Sequence, residues 1–248
     1  GFAQRSLLEA EHVMKEIGGL DALHGSLLKI ACSEGFASDF LPGALASFKA
    51  RHPGVDFSMW VVSPADATRR VREGDADIAL TFSLAPEKGV CVEHTERAPI
   101  FALVRRDHPL AARDAVSLAD VAHHPHVLPE AGTTVRQLID IACALDGLLL
   151  EPELTSNNTA AMYRYAQRTG AVMFTGLLSV RDRCDADGFV VVPLTNPQLR
   201  ERSIQVQTMA GRDLPASVRA FRDHLIDAMQ AASAPPAAVR GSRRPRMR

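Results

Sequence analysis

The sequence predicts an α/β protein of two Rossmann-like lobes with a cleft between them, preceded by an amphipathic helix. Three observations point there. From Ser26 onward, apolar runs of strand length alternate with amphipathic stretches of helix length. After Phe82 the alternation gives way to extended segments and a turn, and then it restarts as a second β/α series. Finally, 248 residues at 46% hydrophobic content suffice for one large core or two modest ones, and with 5% aromatics those cores must be mainly aliphatic.

The first segment, to about residue 23, has helical periodicity, with Ala3, Leu7, Ala10, Met14 and Ile17 on one seam. Gly18-Gly19 breaks it, and His24-Gly25 ends it. Strands follow at 27–32, 55–62 and 77–82. The helix between the first two, at 38–51, carries Phe40, Leu41, Leu45 and Phe48 on one face and stops at Pro53-Gly54. The helix at 64–73 stops at Gly74, a left-handed position. Crossovers of this length imply a mainly parallel sheet.

Residues 90–96 and 99–105 read as extended, and Arg106-Asp107-His108-Pro109-Leu110 turns the chain. Ser117 and Asp120 form a capping box before a short helix. The second series then runs strand 126–128, helix 134–145, strand 148–154, helix 159–167, strand 171–174 and helix 177–183. Extended stretches at 189–192 and 203–209 precede a closing helix at 215–230. The second series is inserted into the first. Residues 1–24 are expected as a linker and dimerisation helix, 25–98 with 194–230 as the first lobe, and 99–193 as the second. The Pro- and Arg-rich residues 231–248 are expected to be disordered.

Charge and cysteines narrow the function. The net charge of −1 gives no overall pull toward nucleic acid or anionic membrane. Five arginines in the last nine residues, with no acid among them, are the exception. That tail either touches DNA phosphates or is a solvated appendage, and it lacks the aromatics for specific recognition. The four cysteines lie far apart with no C-x-x-C pair, which fits a reducing cytosol better than a disulfide framework or zinc ribbon. No signal peptide opens the sequence and no apolar run reaches membrane-spanning length, so a cytoplasmic location is expected.

Three stretches, LPGALASFKARHPGV, VREGDADIAL and RRDHPLA, resemble the effector-binding domain of LysR-type bacterial transcriptional regulators. The likeness runs over about residues 1–230. It implies the type 2 periplasmic-binding-protein-like fold, with residues 1–23 similar to the family's linker helix. It also implies a homodimer or tetramer that senses a small, anionic effector, an organic or amino acid. DNA would be contacted only through a winged helix-turn-helix that this chain lacks. Where the family often has a Gly-x-Gly-Ile turn ending in Pro, this sequence has Gly170-Ala171-Val172-Met173-Phe174-Thr175. A solute-binding receptor of the same fold, or an enzyme built on it, is the alternative. No G-x-S-x-G, H-E-x-x-H, P-loop or Rossmann fingerprint is present, and no cofactor is expected.

Candidate effector contacts lie where strands end. Ser33 through Ala37, with Ser33, Gly35 and Phe36 as contacts, forms an anion cradle at the end of the first strand, or else simply caps the next helix. Thr133 and Thr134 open a helix in the second lobe and are either a second anion site or ordinary caps. Asn157 opens another helix beside Asn158, one more polar residue than capping needs. Phe82 and Ser83 end the third strand, and Phe174 and Thr175 end a strand of the second lobe that, by the resemblance, faces the effector. His123, His124 and His126 lack a fixed helical spacing or an acidic companion, so a polar loop is expected there and not a metal site. Cys32 is either a redox-sensing thiol or a buried inert one.

Overall fold

The computed structural model describes residues 23, 25–85 and 87–233, the last of these without its side chain. The predicted first helix (save Leu23) and residues 234–248 of the predicted tail lie outside that range. The chain divides into two compact units. Among the described residues the first runs to Ala98 and resumes at Glu201–Asp227; the second comprises Pro99–Arg200 and Ala228–Ser233.

In the first unit, β1 (Ser26–Cys32), β2 (Val55–Val61), β3 (Ile78–Ser83), β4 (Val90–Arg97) and β10 (Ser203–Met209) form one sheet in the order β2-β1-β3-β10-β4. β2, β1 and β3 are parallel, and β10 runs antiparallel between β3 and β4. Burial follows position. Central β3 is buried along its whole length, as a parallel strand covered on both faces should be. β2 and β4 lie at the edges and carry Asp56, Ser58, Glu93 and Glu96, polar residues that discourage edge pairing.

Helix α1 (Phe40–Arg51) buries Leu41, Ala44 and Phe48. The Phe48 ring meets Phe221 of the closing helix at 5.2 Å, edge to face. Helix α2 (Pro64–Glu73) sets Ala67 and Val71 against Ala31 and Ala79 of the strands. The Ser63 hydroxyl accepts the Asp66 N–H to cap α2, Pro64 takes the first turn, and Gly74 ends it at φ +80°. Beside α2 a buried polar chain runs from the Thr68 hydroxyl to the Gln207 amide and on to Gln205, each link 2.8 Å.

The second unit repeats the plan. β5 (Ile100–Arg105), β6 (His126–Pro129), β7 (Leu154–Ser156), β8 (Val172–Gly176) and β9 (Phe189–Pro193) form a sheet in the order β7-β6-β8-β5-β9. Three strands are again parallel, and an antiparallel strand, here β5, lies between the third and the edge. One core joins Ile100, Ala102, Val172 and Phe174 of this sheet to α3 (Leu118–Val121) and α4 (Thr134–Asp146). The other joins Leu103, Val127, Met173 and Phe189 to α5 (Thr159–Thr169) and α6 (Arg181–Cys184). Burying each such Leu, Val or Phe contributes about 1.5–3 kcal/mol. The capping box is present: the Ser117 hydroxyl accepts the Asp120 N–H, and the Asp120 carboxylate accepts the Ser117 N–H. The closing helix, α7, is Ala216–Ser233 and ends three residues later than expected, so residues 231–233 are helical.

Four expectations are corrected. The long helix begins at Phe40, and a 3-10 turn at Glu34–Phe36 comes first, because Phe36 is drawn fully into the core and meets Phe40 edge to face. Of the strand expected at 148–154 only Leu154 pairs, as the first residue of a strand at Leu154–Ser156. Gly147 ends α4 at φ +61°, Pro152 offers no N–H, and Leu148 and Leu150 pack against the core without joining the sheet. The helix expected at 177–183 splits into a 3-10 turn at Leu177–Ser179 and α6. Residues 194–200 and 228–230 belong to the second unit, not the first. Leu194 and Leu199 enter its core, and the Asn196 side chain accepts the Leu118 N–H at 2.9 Å while donating to Asp146.

Candidate functional site

In an open α/β sheet, ligands gather at the carboxyl ends of the parallel strands, where backbone groups run out of ladder partners. In the first unit that edge carries Ser33 after β1 and Thr81-Phe82-Ser83 at the end of β3. The Ser33 hydroxyl is 3.0 Å from the Thr81 hydroxyl, both buried, and the Ser33 N–H donates to Leu80. Ser33 precedes the 3-10 turn without capping it by its side chain. Its hydroxyl is therefore held by Thr81. Gly35 sits half-buried within the turn.

Phe36 is a core side chain. Its ring stacks on Phe82 at 4.4 Å with 22° between planes, and Phe82 keeps only 8% of its surface exposed. Ser83 donates to the Ala85 carbonyl and receives the Ala85 N–H. Next to Phe82 lies Arg202, which the sequence reading passed over, its guanidinium carbon 3.9 Å from the Phe82 ring centre. Burial alone lowers its pKa to about 9. No local pattern announces Arg202, since Arg200-Glu201-Arg202 reads as a solvated entry to a strand.

Cys32, just before Ser33, is fully buried, and desolvation pushes its thiol up to about 12. It has the character of an inert core thiol. All four cysteines are free.

In the second unit the polar groups cluster at two helix N-termini. Thr133 caps α4: its hydroxyl accepts the Arg136 N–H at 3.2 Å and donates to the Glu130 carbonyl at 3.2 Å. Thr134, the first residue of α4, is half-buried and makes no side-chain hydrogen bond among the described residues. Asn158 caps α5 by accepting the Ala161 N–H at 2.7 Å, which leaves the exposed Asn157 side chain uncommitted to the helix. Thr175 ends β8, buried, and donates to the Gly176 carbonyl. Phe174 lies in the aliphatic core beside Ala102 and is 2% exposed.

The histidines divide. The His126 ring is buried, its Nδ1 2.8 Å from the His124 carbonyl oxygen, while His124 packs against His108 at 4.8 Å. Burial, with His124 nearby, lowers the His108 pKa. Among the described residues no group of three or more His, Cys, Asp or Glu side chains is placed to hold a metal ion. Nor is any helix among them long and apolar enough to cross a membrane.

Comparison with known proteins agrees with this architecture. The effector binding domain of QuiR in complex with shikimate superposes with a TM-score of 0.65, at 16% identity, covering 84% of this chain and 98% of that one. The regulatory domain of CcmR from Synechocystis PCC6803, in complex with 2-PG, gives a TM-score of 0.67 at 17% identity, covering 86% of this chain and 100% of that one. By sequence, the transcriptional regulator CysB of Burkholderia cenocepacia is 31% identical over 150 residues, which is 58% of this chain and 47% of that protein. The chain spans about a third to a half of the length of the first curated regulators it matches. The model of the LysR substrate binding domain matches residues 22–230, and the chain belongs to that family.

Proposed function

We propose that this chain is the ligand-sensing part of a LysR-type DNA-binding transcriptional regulator. It binds a small anionic metabolite, an organic or amino acid, and reports its presence to a DNA-reading winged helix-turn-helix outside this chain. The reading is of a binding domain and not an enzyme, working in the cytoplasm as a homodimer or higher assembly. What carries it is the family match across residues 22–230, joined to the Ser33 and Thr81 hydroxyls at the strand ends of the first unit and the helix N-termini at those of the second. Helix N-termini favour negative charge by about 0.3–1 kcal/mol, more where partly buried. A bound metabolite changes the protein's state only by binding one arrangement better than another.

The hydroxyls make this testable. A panel of organic and amino acids, with shikimate and 2-PG included, is screened by thermal shift and the best binder taken to calorimetry. A hydrogen bond to a charged group is worth about 1.5–3 kcal/mol, so removing one lowers affinity by roughly 10- to 150-fold. Thr134→Val is the cleanest variant, because its hydroxyl has no bond to lose among the described residues and stability should stay within about 0.5 kcal/mol. Thr133→Val should add the loss of a helix cap, about 1 kcal/mol of stability. Unchanged affinity in Thr133→Val, Thr134→Val and Ser33→Ala alike would put the ligand elsewhere.

A further inference from the structure

We propose that Arg202 supplies the positive charge that takes the acidic group of a small organic anion at the strand ends of the first unit. The inference rests on the ligand-sensing reading above and names both the class of ligand and the residue that selects it.

Among the described residues Arg202 is the one Lys, Arg, Asp or Glu in the buried class, with 2% of its surface exposed. Its Nε donates to the Ala98 carbonyl at 3.1 Å, its Nη2 is buried with no hydrogen-bond partner, and no described carboxylate pairs with it. By contrast, the half-buried Arg222 is matched by Glu93 at 3.1 Å. A buried charge without a counter-ion works against folding and is seldom kept without a use. Even with its pKa lowered to about 9, the guanidinium carries its charge at neutral pH.

The surroundings suit an anion. Phe82 holds the guanidinium by its ring face, and with Nε given to the Ala98 carbonyl the unpartnered Nη2 is left for a ligand. A guanidinium presents those N–H groups as a planar fork that matches the two oxygens of a carboxylate or phosphate. The position also fits. Arg202 directly precedes Ser203, which pairs with Ser83 at the carboxyl end of β3, the edge where such sheets bind ligands.

The test uses the full chain at constant ionic strength. Thermal shift and calorimetry are run with benzoate, shikimate, 2-PG, inorganic phosphate and sulfate, and with benzamide as the uncharged counterpart. The wild type should bind at least one organic acid and prefer benzoate to benzamide. Arg202→Met and Arg202→Lys should each weaken the binding of that acid at least tenfold, the lysine because it keeps the charge but loses the fork. In buffer without probes, Arg202→Met should melt no lower than the wild type, a result that a merely structural arginine would not give. If both variants keep wild-type affinity, or the wild type takes benzamide as tightly as benzoate, the assignment is overturned while ligand sensing stands. An Arg202→Met protein that melts far below the wild type makes the guanidinium structural and overturns the assignment too. Absence of binding across the whole panel overturns the assignment and counts against the ligand-sensing reading itself.

Discussion

The Ser33–Thr81 hydroxyl pair offers a measurement of how the strand-end site of the first unit is held before any ligand arrives. The two oxygens are 3.0 Å apart, and the residues are 3% and 1% exposed. Thr81 has one further contact, to the Phe82 carbonyl at 3.4 Å, and the Ser33 hydroxyl has none. Removing one partner strands a buried polar atom, so Ser33→Ala and Thr81→Val should each cost about 1–3 kcal/mol. Removing both strands neither atom, so the double variant should lose far less than the sum. A coupling of about 1–2 kcal/mol is expected, at the scale found for residues in direct contact. Urea denaturation of the four proteins measures it, since a 2 kcal/mol loss at an m-value of about 2–3 kcal/mol/M moves the midpoint by about 0.7–1 M. Additivity within about 0.3–0.5 kcal/mol would refute the bond. The pairing also bears on binding. A ligand that engages Ser33 trades one hydrogen bond for another, so Ser33→Ala should weaken binding less than Thr134→Val.

Three further outcomes follow from local geometry. Ser117→Ala should cost about 0.5–2 kcal/mol at neutral pH by urea denaturation. The Ser117 N–H, then its hydroxyl, hold the Asp120 carboxyl below its ordinary range, so that stabilisation is present above the unfolded value of ~3.9 and is lost as pH falls through the folded value. The gap between wild type and Ser117→Ala should therefore narrow in acid without closing, because the bond from the Asp120 N–H to the Ser117 hydroxyl does not titrate. Asp77 behaves in the opposite sense: burial raises its pKa against the opposing hydrogen bond from the Lys29 N–H, so stability declines as pH rises from ~3.9 through the folded value. Asp77→Asn keeps an acceptor oxygen and should be no less stable than wild type at neutral pH, with that slope removed. Gly74→Ala should cost about 1–2 kcal/mol in the same assay, because φ is +80° and a Cβ there meets nothing within 4 Å, so the loss is backbone strain alone; Gly74→Asn should lose less.

Much of the fold was legible because its signals are local. Ser203–Met209 alternates as a strand should, Gly74 stops α2, and Ser117 with Asp120 opens α3. Features that depend on partners were not legible. Leu148, Leu149 and Leu150 look like strand residues, yet whether such a run pairs depends on the space left by α4 and on Pro152. Phe36 sits in a polar stretch that reads as a binding loop, and only the position of Phe82 shows that its ring belongs to the core. At the candidate site the cap assignments at Thr133 and Asn158 follow from residue type and place, whereas Arg202 is visible only once β10 is laid between β3 and β4.

That placement of β10 also sets an order of synthesis. β4 has no neighbour in its sheet except β10, and β3 has β10 on one side, so the first sheet stays open until the chain has been made through Met209. Every strand of the second sheet comes from the uninterrupted Pro99–Arg200 segment. At an elongation rate of about 5–20 residues per second, the open edge of β3 waits about 6–25 s for its partner. On the ribosome the second sheet therefore completes before the first. The nascent first unit, with β3 unpaired and its long-range contacts unmade, is the species a chaperone must shield.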